Sequence, residues 1–281
     1  MTTAVEPREH TVELRGLRFH YVEWGEGRAT GGAPPIVILH GLSSTGRIWD
    51  GLARALQDRY HLFAPDQRGH AATSWPEAAD YTTDDLVGDV EALVEAWGLD
   101  RFVLIGLSMG GMNSMAYAAR HPERVTRLIA VDIPPRVHRD LDPMRPFYKK
   151  IAEEGHPTFD SPDDAIKLIR ATNTITFDEA LRHRLRYILK QLPDGRWTYR
   201  SDPRISYHWT PADLWDELSK ITAPTLIVRG GQSNVLKEST VEKMLAALPN
   251  GQAVCIEAAG HTVPEDTPAE FIAAVEAFLA G

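Results

Sequence analysis

The sequence of 281 residues has a single cysteine, Cys255, which excludes an intramolecular disulfide and a cysteine-built metal cluster. No apolar run approaches the roughly 18 residues that a membrane-spanning helix needs. The first ten residues, MTTAVEPREH, lack the apolar segment of a secretory signal. We therefore expect a cytoplasmic protein that makes no membrane contact.

Basic residues are in deficit: 30 Lys and Arg stand against 39 Asp and Glu, for a formal net charge of -9. Without a basic run, nucleic acid is not an expected partner. No metal-ligand cluster, phosphate-binding loop or dinucleotide fingerprint is present, so we expect neither a metal nor a cofactor. The hydrophobic fraction of 43% is that of an ordinary folded domain.

Short apolar runs alternate with amphipathic segments along most of the chain. A hairpin is expected around Gly16. Buried strands are predicted near 36–39, 61–64, 102–105, 128–131, 225–228 and 253–256, and helices near 83–97, 109–120, 162–170, 177–191 and 240–248. This alternation predicts the α/β class, with a mostly parallel, doubly wound sheet covered by helices on both faces.

The alternation is interrupted between two of the predicted strands. Residues 134–215 show polar-rich helical patterns without buried strands, which predicts a helical cap domain inserted into a core of residues 1–133 and 216–281. The insertion is rich in aromatic side chains, most of them expected in its own core. Three arginines of one predicted helix, Arg182, Arg184 and Arg186, are expected on a solvated face.

One segment carries the features of a catalytic nucleophile. Gly106-Leu107-Ser108-Met109-Gly110 follows an apolar strand and opens an amphipathic helix, as a G-x-S-x-G nucleophile elbow requires. Small residues are needed at both glycine positions because side chains there would collide with neighbouring backbone. The simpler interpretation is a glycine-rich turn with an incidental serine. The strand-to-helix context favours Ser108 as the nucleophile.

Two further loops are expected at the same edge of the sheet. Leu42 follows the strand at 36–39, and its N–H, together with that of Met109, could bind an oxyanion. His261 follows the last strand, and a near-neutral imidazole there could take the serine proton. The neighbouring His40 is expected to pack, and His70 to pack or cap.

With HGL, PDQRGH, GLSMGG and AGHTVPED in order over nearly its full length, the chain resembles the α/β-hydrolase superfamily. The resemblance implies the α/β-hydrolase fold, with a cap over the nucleophile. It departs from the family at Ala71, where glycine is usual. It also departs in the loop 230–236, where many members carry the triad carboxylate.

The third member of the triad is predicted from the need for a negative charge beside His261. Asn234 could orient His261 but could not stabilise the imidazolium by charge, and the first carboxylate after that loop is Glu238. Asp132 ends the strand at 128–131, and some superfamily members place their acid there. We therefore predict a triad of Ser108, His261 and Asp132, with Asn234 and Glu238 as alternative acid positions. A strand-end carboxylate that opens the insertion is the simpler interpretation of Asp132.

These residues predict a cofactor-independent serine hydrolase that cleaves a carboxylic ester or lactone through an acyl-enzyme on Ser108. An alternative is a carbon–carbon bond hydrolase, or a cofactor-free lyase or oxygenase, that uses the His-Asp pair as base. A third is a non-catalytic small-molecule receptor. The expected partner is an apolar or aromatic small molecule, and association into a homo-oligomer stays open.

Overall fold

The computed structural model describes residues 6–27, 32–171 and 173–281. Residues 1–5, which belong to the predicted core domain, lie outside the described residues. The strands are β1 Arg8–Leu14, β2 Leu17–Trp24, β3 Ile36–Leu39, β4 Leu62–Pro65, β5 Phe102–Leu107, β6 Val125–Val131, β7 Thr158–Phe159, β8 Leu189–Gln191, β9 Trp197–Tyr199, β10 Thr225–Gly230 and β11 Gly251–Ile256. The helices are α1 Asp50–Leu56, α2 Thr83–Ala96, α3 Met109–Arg120, α4 Arg145–Glu154, α5 Pro162–Arg170, α6 Asp178–Ile188, α7 Ile205–His208, α8 Glu238–Ala247, α9 Val263–Asp266 and α10 Pro268–Ala280.

The central sheet of the described chain has the strand order β1-β2-β4-β3-β5-β6-β10-β11. The pairs β1-β2 and β2-β4 are antiparallel, and the pairs from β4 through β11 are parallel. The predicted α/β class and mostly parallel sheet are therefore confirmed. Because the parallel strands share one direction, β3, β5, β6, β10 and β11 all end at the same edge.

Two apolar clusters bury the two faces of the sheet. Val37, Leu39 and Leu104 belong to the cluster that includes side chains of α2 and α3. Ile36 and Ile38, from the same strand β3, belong to the other cluster, with side chains of α1 and α10. Successive residues of a strand point to opposite faces, so a strand covered on both sides is apolar throughout. This double burial explains the short uninterrupted apolar runs of the sequence.

The segment between β6 and β10 contains α4 to α7 and also a small sheet with the order β7-β9-β8. The expectation of helices without strands in this segment is wrong on that point. The predicted helix over 177–191 ends at Ile188, and the chain continues as β8. These strands have only two or three residues, which is too short for an alternating pattern to stand out in sequence. The domain boundaries at residues 134 and 215 stay a prediction.

Two local features of the backbone lie at Ala71 and at the start of α2. Ala71, in the position where the superfamily usually has glycine, has a φ of +43°, a left-handed conformation that glycine adopts without strain. Helix α2, predicted over 83–97, begins with a capping box, in which Thr82 and Asp85 each bond the other's backbone N–H. Nowhere in the described ranges does a helix have the length and apolar character needed to cross a bilayer.

Candidate active site

Ser108 lies in the strained turn between β5 and α3. Its backbone has φ +53° and ψ -119°, a conformation that residues with a side chain rarely adopt. A Cβ on Gly106 would lie 2.3 Å from the Gly110 carbonyl oxygen, and a Cβ on Gly110 would lie 2.4 Å from the Leu39 carbonyl oxygen. Only glycine fits at either position. The turn therefore has the geometry predicted for a nucleophile elbow, with Ser108 at the carboxyl end of β5.

Asp132 and His261 lie side by side, although 129 positions separate them in sequence. The Nδ1 atom of His261 is 2.7 Å from the Oδ2 atom of Asp132. Ser108 donates its backbone N–H to the Val131 carbonyl oxygen at 3.0 Å, so the elbow is fastened to the residue that precedes Asp132. The structure thus brings the predicted acid and base into direct contact, and the acid follows β6, the strand that pairs with the β5 strand preceding Ser108.

Three donors converge on the carboxylate of Asp132, which is fully buried. The Gly230 N–H donates to Oδ1 at 3.0 Å, and the Ser233 hydroxyl and the His261 ring both donate to Oδ2. Asp132 itself has a φ of +48°, in the left-handed region where aspartate and asparagine are enriched among residues with a side chain. Ser233, from the loop after β10, therefore hydrogen-bonds the candidate acid, which directly follows β6.

The alternative acid positions lie elsewhere. Asn234 and Glu238 are both exposed, and Glu238 is the first residue of α8. Within the described ranges, the Asp132 carboxylate hydrogen-bonds the His261 ring, and neither Asn234 nor Glu238 does. The loop after β10 therefore contributes Ser233 rather than a carboxylate.

The predicted oxyanion loop passes directly against Ser108. A Cβ on Gly41 would lie 3.3 Å from the Cβ of Ser108, so Leu42 begins next to the nucleophile. Met109 is the first residue of α3, and the N–H of a first helical residue has no acceptor within its own helix. The N–H groups of Leu42 and Met109 therefore both belong to backbone next to Ser108.

The loop of His261 is also fastened to the insertion, by residues that the sequence analysis did not single out. Asp266 accepts the Gly260 N–H at 2.9 Å through Oδ2 and the Thr176 hydroxyl through Oδ1. Burial raises the pKa of Asp266 although these hydrogen bonds oppose the shift. In the sequence, Asp266 is only a carboxylate five residues after His261. No local pattern connects it with Thr176.

Arg184 corrects one expectation for the insertion. Its guanidinium pairs with the Glu265 carboxylate at 2.8 Å, and only 13% of its side chain is exposed. Arg182 and Arg186 are exposed as expected. The physical reason is that the side of α6 that carries Arg184 faces α9, where Glu265 lies.

Metal-binding side chains do not gather in the described part of the chain: it has no group of three or more His, Cys, Asp or Glu residues placed to hold an ion. The groups that the sequence predicts for the site are a hydroxyl, an imidazole, a carboxylate and backbone N–H groups.

Comparisons with known proteins identify the fold family. The family profile described as "alpha/beta hydrolase fold" matches residues 34–268. A 2-(acetamidomethylene)succinate hydrolase of Mesorhizobium japonicum is 26% identical over 259 residues, with 90% of each chain covered. An esterase of Mycobacterium tuberculosis is 25% identical over 262 residues, covering 92% of this chain and 85% of its own. A crystal structure of an alpha/beta hydrolase from Novosphingobium aromaticivorans has a TM-score of 0.82 at 26% identity, covering 98% of both chains.

Proposed function

Because the chain belongs to the alpha/beta hydrolase fold family, we propose that it is a cofactor-independent serine hydrolase that cleaves a carboxylic ester or lactone. The proposal rests above all on the 2.7 Å hydrogen bond between His261 Nδ1 and Asp132 Oδ2. Since Nδ1 donates to the carboxylate, Nε2 keeps its lone pair and can take the proton of the Ser108 hydroxyl. The esterase among its relatives supports the proposal that the bond cleaved is an ester bond.

In this mechanism Ser108 Oγ attacks the substrate carbonyl carbon while its proton moves to His261 Nε2. The negative charge that develops on the carbonyl oxygen is stabilised by the N–H groups of Leu42 and Met109. The bond to the alcohol oxygen then breaks, and His261 returns the proton to that leaving group. Asp132 stabilises the imidazolium that exists between the two transfers.

The second half of the reaction uses the same groups. His261 removes a proton from a water molecule, which attacks the acyl carbon of the ester on Ser108. The collapse of that tetrahedral intermediate releases the carboxylic acid and returns the proton to the Ser108 oxygen. No redox change occurs, and no group beyond water is consumed.

A fluorophosphonate probe tests this proposal, because it phosphonylates an activated serine. We expect mass-spectrometric mapping to find the label on Ser108, with parallel loss of turnover of short-chain aryl esters. Ser108→Ala should abolish both labelling and turnover. Ser239→Ala, at an exposed position on α8, serves as the matched control and should behave as the parent protein.

The same experiment decides between this function and the alternatives. A reaction that survives Ser108→Ala would contradict the acyl-enzyme and favour the His261-Asp132 pair as the base of a carbon–carbon bond hydrolase or lyase. Absence of both labelling and turnover across aryl esters of graded chain length would favour the receptor hypothesis. Longer or aromatic acyl groups that lower KM would support an apolar or aromatic substrate.

A further inference from the structure

Two histidines outside the predicted triad are fully buried beside the oxyanion loop. His40 directly follows β3 and immediately precedes Gly41. Its Nδ1 atom lies 2.7 Å from the Gly41 carbonyl oxygen, and its Nε2 atom lies 2.9 Å from the Gln67 backbone nitrogen. A carbonyl oxygen only accepts and a backbone N–H only donates, so these partners require a neutral ring with its hydrogen on Nδ1.

His70 makes a similar pair of contacts, one of them with the next peptide group of the loop. Its Nε2 atom accepts the Ser43 N–H at 3.0 Å, and its Nδ1 atom lies 3.0 Å from the Arg68 carbonyl oxygen. These partners again require a neutral ring protonated on Nδ1. The two rings meet edge to face, with centroids 4.9 Å apart. The histidines thus form one buried unit that contacts successive peptide groups of the loop.

The peptide held by His40 is the one that contains the candidate oxyanion donor. The Gly41 carbonyl and the Leu42 N–H belong to the same planar trans peptide, in which C=O and N–H point in opposite directions. A hydrogen bond from His40 to that carbonyl therefore orients the Leu42 N–H and also polarises it as a donor. The next peptide, which carries the Ser43 N–H, is held by His70. Both peptides that flank the Leu42 Cα are thereby constrained.

The same network extends to the second candidate donor. The Gln67 side-chain amide donates to the His40 carbonyl oxygen at 2.6 Å and accepts from the Asn113 side-chain amide at 2.8 Å. Asn113 lies one turn into α3, the helix that begins at Met109. Side-chain hydrogen bonds therefore connect the segment around Leu42 to the helix that carries the Met109 N–H.

We propose that His40 and His70 are positioning residues, which act as a neutral clamp on the oxyanion loop and set the direction of the Leu42 N–H. This inference rests on the proposed function, because it assigns the Leu42 N–H to the transition state of acyl transfer. Burial lowers the pKa of His40, and burial together with the neighbouring His40 lowers the pKa of His70 to about 3. Both rings consequently stay neutral at neutral pH.

Paired substitutions test the clamp. His40→Asn keeps an amide donor near the Nδ1 position, whereas His40→Leu removes it. His70→Gln keeps a carbonyl acceptor near the Nε2 position, whereas His70→Leu removes it. Loss of a whole oxyanion donor costs about 10² to 10³ in kcat, so a misdirected donor should cost about tenfold to hundredfold. We expect that loss in both leucine variants, with KM changed less than about threefold.

Transition-state affinity separates positioning from general destabilisation. The inhibition constant of a trifluoromethyl ketone, which forms an oxyanion on Ser108, should rise in parallel with the loss of kcat. Inhibition by the product acid should not change. His40→Asn and His70→Gln should recover most of the activity. His121→Gln, at the far end of α3 and paired with Glu91, is the control and should match the parent protein.

Several outcomes would overturn the clamp: folded leucine variants with parental kcat, a loss confined to KM, or equal losses in the leucine and amide variants. If His40→Leu does not fold, His40→Gln replaces it, because the longer side chain moves the amide away from the Gly41 carbonyl and should be less active than His40→Asn. Fluorophosphonate labelling of the parent protein tests the proposed function alone. A labelled parent with insensitive histidine variants refutes the clamp alone.

Discussion

The substitution Asp132→Asn isolates the charge of the candidate acid from its shape. Asparagine has nearly the same volume and is itself enriched at positive φ, so the φ of +48° at this position should be tolerated. The hydrogen bonds are a different matter. The carboxylate accepts from Gly230 N–H on one oxygen and from Ser233 and His261 on the other. In either orientation, the amide NH₂ group of asparagine faces at least one donor.

The expected magnitude follows from that geometry. With the NH₂ group toward His261, the ring must place its hydrogen on Nε2, and it then cannot take a proton from Ser108 at that atom. With the NH₂ group toward Gly230, the ring keeps its tautomer but loses the negative charge that stabilises the imidazolium. The analogous change in a serine protease costs about 10⁴ in kcat. We expect a fall of about 10³ to 10⁴, which corresponds to about 4 to 5.5 kcal/mol of transition-state stabilisation.

Steady-state hydrolysis of an aryl ester measures this loss, and thermal unfolding of the same preparations shows whether the fold is retained. Asn234→Asp is the matched control, because it introduces a carboxylate at the exposed position in the loop after β10. We expect its kcat to stay within about twofold of the parent value. Near-full activity in Asp132→Asn, or a tenfold gain in Asn234→Asp, would refute the assignment of Asp132 as the acid.

Three further predictions concern parts of the molecule that support the site. Ser233→Ala removes one of the donors to Asp132, and kcat/KM should fall about threefold to tenfold; unchanged kinetics would contradict a supporting role. Gly110→Ala places a Cβ 2.4 Å from a carbonyl oxygen, so urea denaturation should show a loss of about 3 kcal/mol, whereas Gly51→Ala, with nothing within 4 Å, should not destabilise the protein. The pKa of His70 is lowered by burial to about 3, against about 6.5 in the unfolded chain. Its contribution to stability is therefore present above pH 6.5 and is lost as pH falls toward 3, by about 1.4 kcal/mol per pH unit. His70→Gln should have a shallower decline of unfolding free energy between pH 6.5 and 4.5, and an equally steep decline would show that another group takes up the proton.

Much of the fold could be predicted because its signals are local. Uninterrupted apolar runs mark strands buried on both faces, and the helix from Met109 to Arg120 has the predicted bounds. The three short strands of the insertion could not be predicted, because two or three residues cannot express a period. The exposure of Arg184 was also predicted wrongly. Its ion-pair partner, Glu265, lies far along the chain, so no local sequence pattern indicates that this side of the helix is covered.

The candidate site divides in the same way. Ser108 was predicted as the nucleophile from its own five-residue neighbourhood, and the prediction of Asp132 as the acid followed from the absence of a carboxylate in the loop after β10. The hydrogen bonds of Ser233 with Asp132 and of His40 with the Gly41 carbonyl oxygen could not be predicted from the sequence. These hydrogen bonds depend on how the Ser233 hydroxyl and the His40 ring are oriented. Contacts between loops that are distant in sequence decide that orientation.

The amino-acid sequence by itself determined the strand-turn-helix unit around residue 108, since glycine spacing and apolar alternation act over a few neighbouring residues. Only the tertiary structure decided that residues 233 and 261 both hydrogen-bond the carboxylate of residue 132. Their three loops leave different strands, and the distances between those loops depend on strand order, sheet twist and side-chain packing over the whole domain.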